Sequence, residues 1–233
     1  MSIIQSFIGT NLTISAGGGG GGTTYTGYWT IEFWMKKGTQ TDSYPRVFDV
    51  NQWPSESIGY SSESGGEYFW TGGTQTVKNM GGLANTWNHI AICGTPTDLF
   101  IFQNGIQFSG DARVGSVANS SDPFVIGSGG SGGNGWVGKI ADFHVTRQAK
   151  YTTGNFTVPS SPMTTDSSTA LLVSVQNNTE PYRDYSVNNW GVTGTASFDS
   201  DTPYSGTTNG SLSFNGSQNI FYVAGPVWAL DVA

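Results

Sequence analysis

The sequence predicts an all-β protein folded as a jelly-roll sandwich of two antiparallel sheets. The first observation is a meander in which the apolar segments 87–92 and 99–103 are separated by a short Gly-Thr-Pro-Thr-Asp turn. The second segment runs into Asn104-Gly105, and Asn-Gly is the strongest short-range hairpin signal. Short strand-like segments also recur at near-regular spacing with glycine-rich turns between them, as in β-sandwiches. No window of the sequence combines helical periodicity with capping residues.

Two long segments alternate with a period of two, which predicts strands with distinct faces. In the first segment, one face comprises Trp29, Ile31, Phe33 and Met35, and the other comprises Thr30, Glu32 and Trp34. In the second segment, Val137, Lys139, Ala141, Phe143 and Val145 are expected opposite Trp136, Ile140 and His144. Further strands are predicted over 46–50, 58–60, 67–70, 106–108, 124–127, 171–175 and 211–223.

The length of 233 residues suits one sandwich rather than several domains. We predict an N-terminal arm with a glycine joint over residues 1–22. A single β-sandwich is predicted over 23–233, with a C-terminal strand that completes the sheet. Residues 17–22 are all glycine, and such a run has high backbone entropy and no side chains to pack. We therefore expect residues 1–16 to contact another protein or a sister subunit. The alternative is an ordinary first strand followed by a long loop.

The net charge of −7 excludes several classes of partner. The nine lysines and arginines are scattered and form no basic stripe, so we expect no nucleic-acid binding. Anionic membranes would repel the chain and no apolar run reaches the length of a membrane span, so no membrane insertion is expected. The N-terminus lacks a basic region, and no signal peptide is expected. The single cysteine, Cys93, is expected to be a small buried apolar group.

Five segments occur in the order and at the spacing of a known family. They are Trp29–Trp34, Trp87–Ala91, Phe102–Gly105, Phe124–Gly127 and Gly138–Phe143. Over residues 23–175 the chain resembles the laminin G-like, concanavalin A-type jelly roll. The resemblance implies a concanavalin A-like sandwich of two antiparallel sheets, the fold of a class that includes glycan hydrolases.

A narrower resemblance concerns later segments. Tyr151–Pro159 with Thr169–Leu172, Asp184–Asn189, Pro203–Ser205 and Gly210–Ser217 looks like a tail common in laminin G-like proteins of marine bacteriophages. This resemblance implies a structural protein of the virion: a capsid decoration, a tail fibre or another tail component. Its partners would be other virion proteins, further copies of itself in a homo-oligomer, and glycans of the host surface.

The C-terminal segment departs from the family pattern. Gly210–Tyr222 resembles the element that normally opens such a domain, ahead of the strand Thr30–Met35, but here it closes the chain. We expect it to fold back beside Thr30–Met35, or to occupy that place in a neighbouring subunit. Left unpaired, a strand containing Ile220–Val223 would be an aggregation hazard.

The sequence does not display the chemistry of glycan hydrolysis. Hydrolases of this class need two carboxylates across the scissile bond, and no predicted strand carries alternating acidic residues. Glu56, Glu63 and Glu67 lie around a Ser/Gly-rich turn and are expected to be solvated. We therefore expect a non-catalytic protein. A carbohydrate-binding module or a glycan hydrolase is the alternative function.

No cofactor or metal is expected from the spacing of the ligand-forming residues. His89 and His144 have no Cys, His or Glu at metal-ligand spacing, and His89 is expected to be satisfied within its strand. A calcium site is the alternative, with oxygen ligands from Asp98, Asn104 or Asp142.

The candidate ligand site is aromatic. Trp53, Tyr60, Tyr68 and Trp70 cluster in and beside turns, and Trp136 follows a glycine-rich loop. Aromatic rings among Ser, Asn and Asp suit stacking on a sugar with hydrogen bonds to its hydroxyl groups. The alternative is that these rings fill the sandwich core or a subunit interface.

Overall fold

The structure of the protein is a computed structural model. It describes residues 24–25, 27–50, 58–63, 66–71, 74–111, 117–118, 124–129, 133–176, 181–217 and 220–223. The predicted arm and glycine joint over 1–22 lie outside the described residues, as do the candidate site residue Trp53 and the acidic residue Glu56.

The described residues form seventeen strands and no helix. In chain order the strands are β1 (Thr24–Tyr25), β2 (Trp29–Lys37), β3 (Arg46–Val50), β4 (Ile58–Ser62), β5 (Glu67–Thr71), β6 (Thr74–Lys78), β7 (Trp87–Gly94), β8 (Leu99–Gln103), β9 (Ile106–Asp111), β10 (Val117–Ala118), β11 (Phe124–Ile126), β12 (Val137–Thr146), β13 (Thr169–Val173), β14 (Gly191–Gly194), β15 (Ser197–Asp199), β16 (Ser211–Asn215) and β17 (Ile220–Val223).

Two large antiparallel sheets face each other. The front sheet has seven strands in the order β14-β17-β11-β3-β4-β5-β6. The back sheet has eight strands, in the order β15-β16-β12-β2-β7-β8-β9, with β13 paired to β12 off this path. Strands β1 and β10 form a separate small pair. The predicted fold class, an all-β jelly-roll sandwich of two antiparallel sheets, is confirmed.

The core between the sheets is rich in aromatic rings. Phe33 of β2 stacks on Phe143 of β12 with ring centroids 5.2 Å apart, and Phe48 of β3 meets both rings edge-on. Burying one side chain of this size contributes about 1.5–3 kcal/mol. The predicted core face of β2 is confirmed, since all four of its residues are buried in this cluster: Trp29, Ile31, Phe33 and Met35.

A β-bulge changes the alternation predicted for β12. Ala141 pairs with Trp34 and His144 pairs with Glu32, so β12 holds one residue more than β2 between these two pairs. The extra residue is accommodated at Asp142, whose φ of 50° lies in the left-handed region that Asp tolerates better than most residues. The prediction that Ile140 lies opposite Phe143 is therefore wrong. Ile140, Phe143 and Val145 share the core, while Ala141 packs on the outer side with Trp34.

The C-terminal segment divides between the two sheets of its own chain. Strand β16 pairs with β12 and β15 in the back sheet, and β17 pairs with β11 and β14 in the front sheet. The expectation that this segment lies beside Thr30–Met35 is wrong, because the neighbours of β2 are β7 and β12. Leu212 and Phe214 of β16 bury their side chains in the core.

A non-strand segment, residues 147–163, crosses the outer face of the back sheet; we name it the strap. Its Phe156 N–H donates to the Gly105 carbonyl at 2.9 Å, and its Met163 N–H donates to the Asp142 carboxylate at 2.8 Å. Gly105 is needed both for the backbone conformation of the hairpin turn and for the close approach of the strap. Its φ is +76°, and a Cβ built there would lie 2.0 Å from the Phe156 carbonyl oxygen. The family-like motif Tyr151–Pro159 is thus the covering of the back sheet.

Candidate functional site

A cleft of about 510 Å³ lies on the outer face of the front sheet. Strand β3 and the turn before it contribute Tyr44, Arg46 and Asp49, and β5 contributes Tyr68 and Trp70. Glu63 after β4, Gln75 of β6 and Asn134 beside β12 complete the lining. The name "cleft" is kept for the space between these eight residues.

The floor of the cleft is formed by residues that pair across neighbouring strands. Asp49 pairs with Gly59, Gly59 with Trp70, and Trp70 with Gln75, so one row of residues crosses four strands. Because Gly59 has no side chain, nothing stands between Asp49 and Trp70 in this row. A Cβ at Gly59 would lie 3.4 Å from Asp49 Oδ1 and 3.6 Å from Trp70 Cε3, which is ordinary contact. The floor therefore owes its depth to one glycine.

Arg46 covers part of that floor. Its guanidinium carbon lies 4.1 Å from the centre of the Trp70 ring, a cation–π arrangement. Its Nη1 lies 3.9 Å from Glu63 Oε1, which also accepts a hydrogen bond from Ser61 Oγ at 2.9 Å. Trp70 is only 3% exposed, so its ring supports Arg46 rather than facing solvent.

The tyrosines are the rings that remain reachable. Tyr44 is 59% exposed. Tyr68 is half-buried and lies almost parallel to Trp70, at an interplanar angle of 21° and a centroid distance of 6.3 Å. With Gln75 exposed and Asn134 half-buried beside them, the cleft combines flat apolar surfaces with amide donors and acceptors.

The structure brings two of the five predicted ligand-binding residues into the cleft, namely Tyr68 and Trp70. Tyr60 and Trp136 lie in the core with no exposed surface. The Tyr60 hydroxyl donates to Glu67 Oε2 at 2.6 Å and its ring stacks on Phe69, while Trp136 packs against Phe214. Neither ring is placed to stack on a ligand. Trp53 lies outside the described residues.

Sequence reasoning missed Tyr44, Arg46, Asp49, Gln75 and Asn134. A signal existed for Asp49, because it is a charged residue inside the apolar strand Arg46–Val50. Tyr44 and Asn134 reach the cleft from a turn and a loop distant in sequence, and the two segments are joined where the Arg46 N–H donates to the Asn134 carbonyl at 2.9 Å.

The acidic residues around the β4–β5 turn do not share one environment. Glu67 was expected to be solvated, and this is wrong, since it is 2% exposed. Its carboxylate accepts from the Tyr60 hydroxyl and from Lys37 Nζ at 3.2 Å. Burial raises the pKa of Glu67, and the Lys37 charge only partly opposes this. Glu63 was also expected to be solvated, and this is wrong too, since its side chain is 12% exposed, accepts from Ser61 Oγ and lies beside Arg46 in the cleft lining.

A second polar centre lies under the strap. Glu32 of β2 is fully buried, with His89 Nε2 at 3.4 Å and His144 Nδ1 at 3.3 Å from its carboxylate oxygens. Lys150 Nζ and the Tyr151 hydroxyl of the strap also donate to it. Burial favours a higher pKa for Glu32, but the adjacent His144 and His89 rings and the charge of Lys150 outweigh it and hold the pKa of this carboxyl group well below its usual range. This centre joins the strap to the sheet.

The three residues considered as calcium ligands each accept hydrogen bonds from other groups of the protein. Asp142 accepts from Met163 N–H and from the Tyr204 hydroxyl, Asp98 accepts from Thr97 Oγ1, and Asn104 accepts from His89 N–H. Within the described ranges, no three His, Cys, Asp or Glu side chains are grouped so as to hold a metal ion. In the same part of the chain, no helix of membrane-spanning length and apolarity is found.

Comparison with solved structures identifies similar folds. A candidate carbohydrate-binding protein from Bacteroides ovatus ATCC 8483 is similar with a TM-score of 0.51 and 15% identity, over 86% of this chain and 55% of that one. The chain thus spans about half the length of that protein.

Two further solved structures are less similar. A heptameric SAP-like pentraxin from Limulus polyphemus has a TM-score of 0.39 and 12% identity, over 56% of this chain and 68% of its own. The extracellular region of zebrafish Gpr126/Adgrg6 has a TM-score of 0.38 and 14% identity, over 85% of this chain and 33% of its own.

No curated protein sequence matches the chain. The family comparison does give a match. The profile of the concanavalin A-like lectin/glucanases superfamily aligns with residues 13–153, which is more than half of the 233 residues. Together with the two-sheet jelly roll, this match shows that the chain belongs to the concanavalin A-like lectin/glucanases superfamily.

Proposed function

We propose that this protein is a non-catalytic carbohydrate-binding β-sandwich that holds a saccharide in the front-sheet cleft. The observation that carries the proposal is the pair of reachable rings, Tyr44 and Tyr68, next to the amides of Gln75 and Asn134. Rings stack on the apolar faces of sugars, and amides exchange hydrogen bonds with hydroxyl groups. The cleft volume also falls within the range of about 300–1,000 Å³ that is typical of ligand pockets.

Two comparisons support this proposal. The superfamily includes lectins by its own description. The similar Bacteroides ovatus structure is described as a candidate carbohydrate-binding protein, although at 15% identity the similarity extends to the fold alone. The site itself therefore has to carry the functional argument.

Binding should depend on the two tyrosines. Tyr44→Ala and Tyr68→Ala are each expected to weaken retention on the bound glycan about five-fold, because losing one stacking ring costs about 1 kcal/mol. Affinity electrophoresis in gels containing polysaccharides measures this directly.

Tyr28→Ala is the matched control, because Tyr28 is 45% exposed and lies just before Trp29, the first residue of β2. Lys37, the last residue of β2, contacts Glu63 and Glu67. The nine residues of β2 separate these ends by roughly 26 Å. Equal retention of all three variants and the parent protein would show that the cleft is not the binding site.

The non-catalytic part of the proposal rests on the carboxylates. Hydrolysis needs one acid and one base on either side of the scissile bond. Of the two carboxylates that line the cleft, Asp49 is only 1% exposed, and Glu63 is held between Ser61 and Arg46. We expect no reducing ends to be released from any polysaccharide that the protein retains. Release that disappears in Glu63→Gln would identify a hydrolase instead.

The setting proposed for this function is the surface of a virion, as a decoration, fibre or tail component that forms a homo-oligomer. Support comes from the resemblance of Tyr151–Pro159 and Asp184–Asn189 to laminin G-like proteins of marine bacteriophages. Antibodies raised against the chain should label intact particles in immunogold micrographs. Labelling confined to unassembled protein, with none on purified particles, would contradict this setting.

A further inference from the structure

We infer that the cleft selects a neutral saccharide, one that carries hydroxyl groups but no carboxylate or sulfate. The inference rests on the proposed function and adds the chemical class of the ligand. It comes from the charges that line the cleft and from how the one cation among them is held.

Two carboxylates and one cation line the described part of the cleft. The formal charge is negative for Asp49 and Glu63 and positive for Arg46. The sum over these residues is therefore −1, on a chain whose own net charge is −7. An anionic sugar entering the cleft would meet an excess of like charge.

Arg46 does not offer the geometry that anion binding requires. A guanidinium binds carboxylate or sulfate through two parallel N–H groups along one edge. The Arg46 side chain is only 8% exposed, its guanidinium carbon lies over the Trp70 ring, and its Nη1 lies 3.9 Å from Glu63 Oε1. Its charge is thus already balanced within the protein.

Arg46 is the one cation among the described residues that line the cleft. Lys37 Nζ, which reaches the β4–β5 turn, donates to the Glu63 carbonyl at 3.0 Å and to the buried Glu67 carboxylate. The connections that flank the cleft strands contain no lysine or arginine at all in the sequence: 51–57, 64–65, 72–73 and 130–132. The remaining lining groups are neutral amides and phenols, which suit hydroxyl groups as both donors and acceptors.

The test uses polysaccharides matched in backbone and different in charge, such as dextran with dextran sulfate and β-mannan with polymannuronate. The protein is run in affinity gels at low and at physiological salt. We expect retention by at least one neutral member of a broad panel and much weaker retention by its charged counterpart. Preferential retention by charged members would overturn the inference while leaving carbohydrate binding intact. Retention by no glycan would overturn the proposed function and the inference together.

A charge variant sharpens the test. Glu63→Gln keeps the acceptor for Ser61 Oγ and removes one negative charge from the lining, so weak retention by the acidic glycans should increase about two- to five-fold at low salt and less at high salt. Asp98→Asn is the control, because it makes the same charge change on the β7–β8 turn of the back sheet. An equal response of both variants would show that net charge, and not the cleft, decides the selectivity.

Discussion

The two outer faces of the sandwich start from similar chemistry and end in opposite roles. Each brings a carboxylate, a cation and an aromatic ring side by side: Glu32 with Lys150 and Tyr151 of the strap on the back, and Glu63 with Arg46 and Trp70 on the front. On the back, the strap supplies the cation and the ring and covers Glu32, so these groups form a structural centre. On the front, Tyr44 and Tyr68 remain reachable and the same elements line a cleft. Whether a face has a structural or a binding role therefore depends more on the segment that covers it than on its residue types.

The largest expected effect on stability comes from disrupting the polar centre around Glu32 under the strap. Glu32→Gln removes the carboxylate that His89, His144 and Lys150 share, and breaking a buried ion pair from one side typically costs about 3–5 kcal/mol. Chemical denaturation should report this loss in the free energy of unfolding. Glu63→Gln, the equivalent change on the front face, keeps the acceptor for Ser61 Oγ and should cost only about 1 kcal/mol. Equal losses in both variants would show that the two faces do not differ in this way.

The next largest effect on stability is expected where the strap packs against Gly105. Gly105→Ala would place a Cβ against the Phe156 carbonyl and force a left-handed backbone on alanine, with an expected loss of about 2–4 kcal/mol. Gly154→Ala is the matched control. Its φ of +68° imposes the same backbone strain, but no atom lies within 4 Å of the new Cβ, so about 1 kcal/mol is expected. Identical melting curves for the two variants would show that the close approach of the strap to Gly105 does not contribute to stability.

The polar centre around Glu32 also predicts that the stability of the protein depends on pH. Because the pKa of Glu32 is lowered in the folded protein, its ionised form stabilises the fold. This contribution is complete above the unfolded pKa of about 4.3 and is lost as the pH falls through the folded value. The parent protein should lose stability below about pH 4 with a slope of up to about 1.4 kcal/mol per pH unit from this group. Unfolding free energies of Glu32→Gln across the same range should show a flatter acid limb, and parallel curves would contradict the assignment.

The smallest effect on stability is expected on the open face. Gly59→Ala adds a methyl group to the cleft floor at ordinary contact distances from Asp49 and Trp70, so the free energy of unfolding should change by no more than about 0.5 kcal/mol. Glycan retention should nevertheless fall several-fold, since the methyl group makes the cleft shallower. Gly191→Ala, in β14 of the same sheet with no atom within 4 Å of its Cβ, should leave retention unchanged. Loss of stability without loss of retention at Gly59 would reverse the assignment of this face.

Local sequence patterns were enough to predict the fold class and most of the strand positions. Alternation in Trp29–Met35, the Asn104-Gly105 turn and the glycine-rich connections are local signals, because side-chain periodicity and positive φ are properties of a few consecutive residues. For the same reason the alternation in β12 failed at Asp142. The bulge there is held by Met163 and Tyr204, which lie 21 and 62 residues away in sequence.

Long-range packing determines which polar and aromatic residues face a cleft and which are buried. Tyr60 and Tyr68 belong to neighbouring strands, yet one lies in the core and the other in the cleft. Glu32 and Glu63 are equally charged in the sequence, but only the strap makes Glu32 inaccessible. Such outcomes depend on which segments pack over each face of a sheet. That packing is set by contacts between residues far apart in the chain, so no short window of sequence contains it.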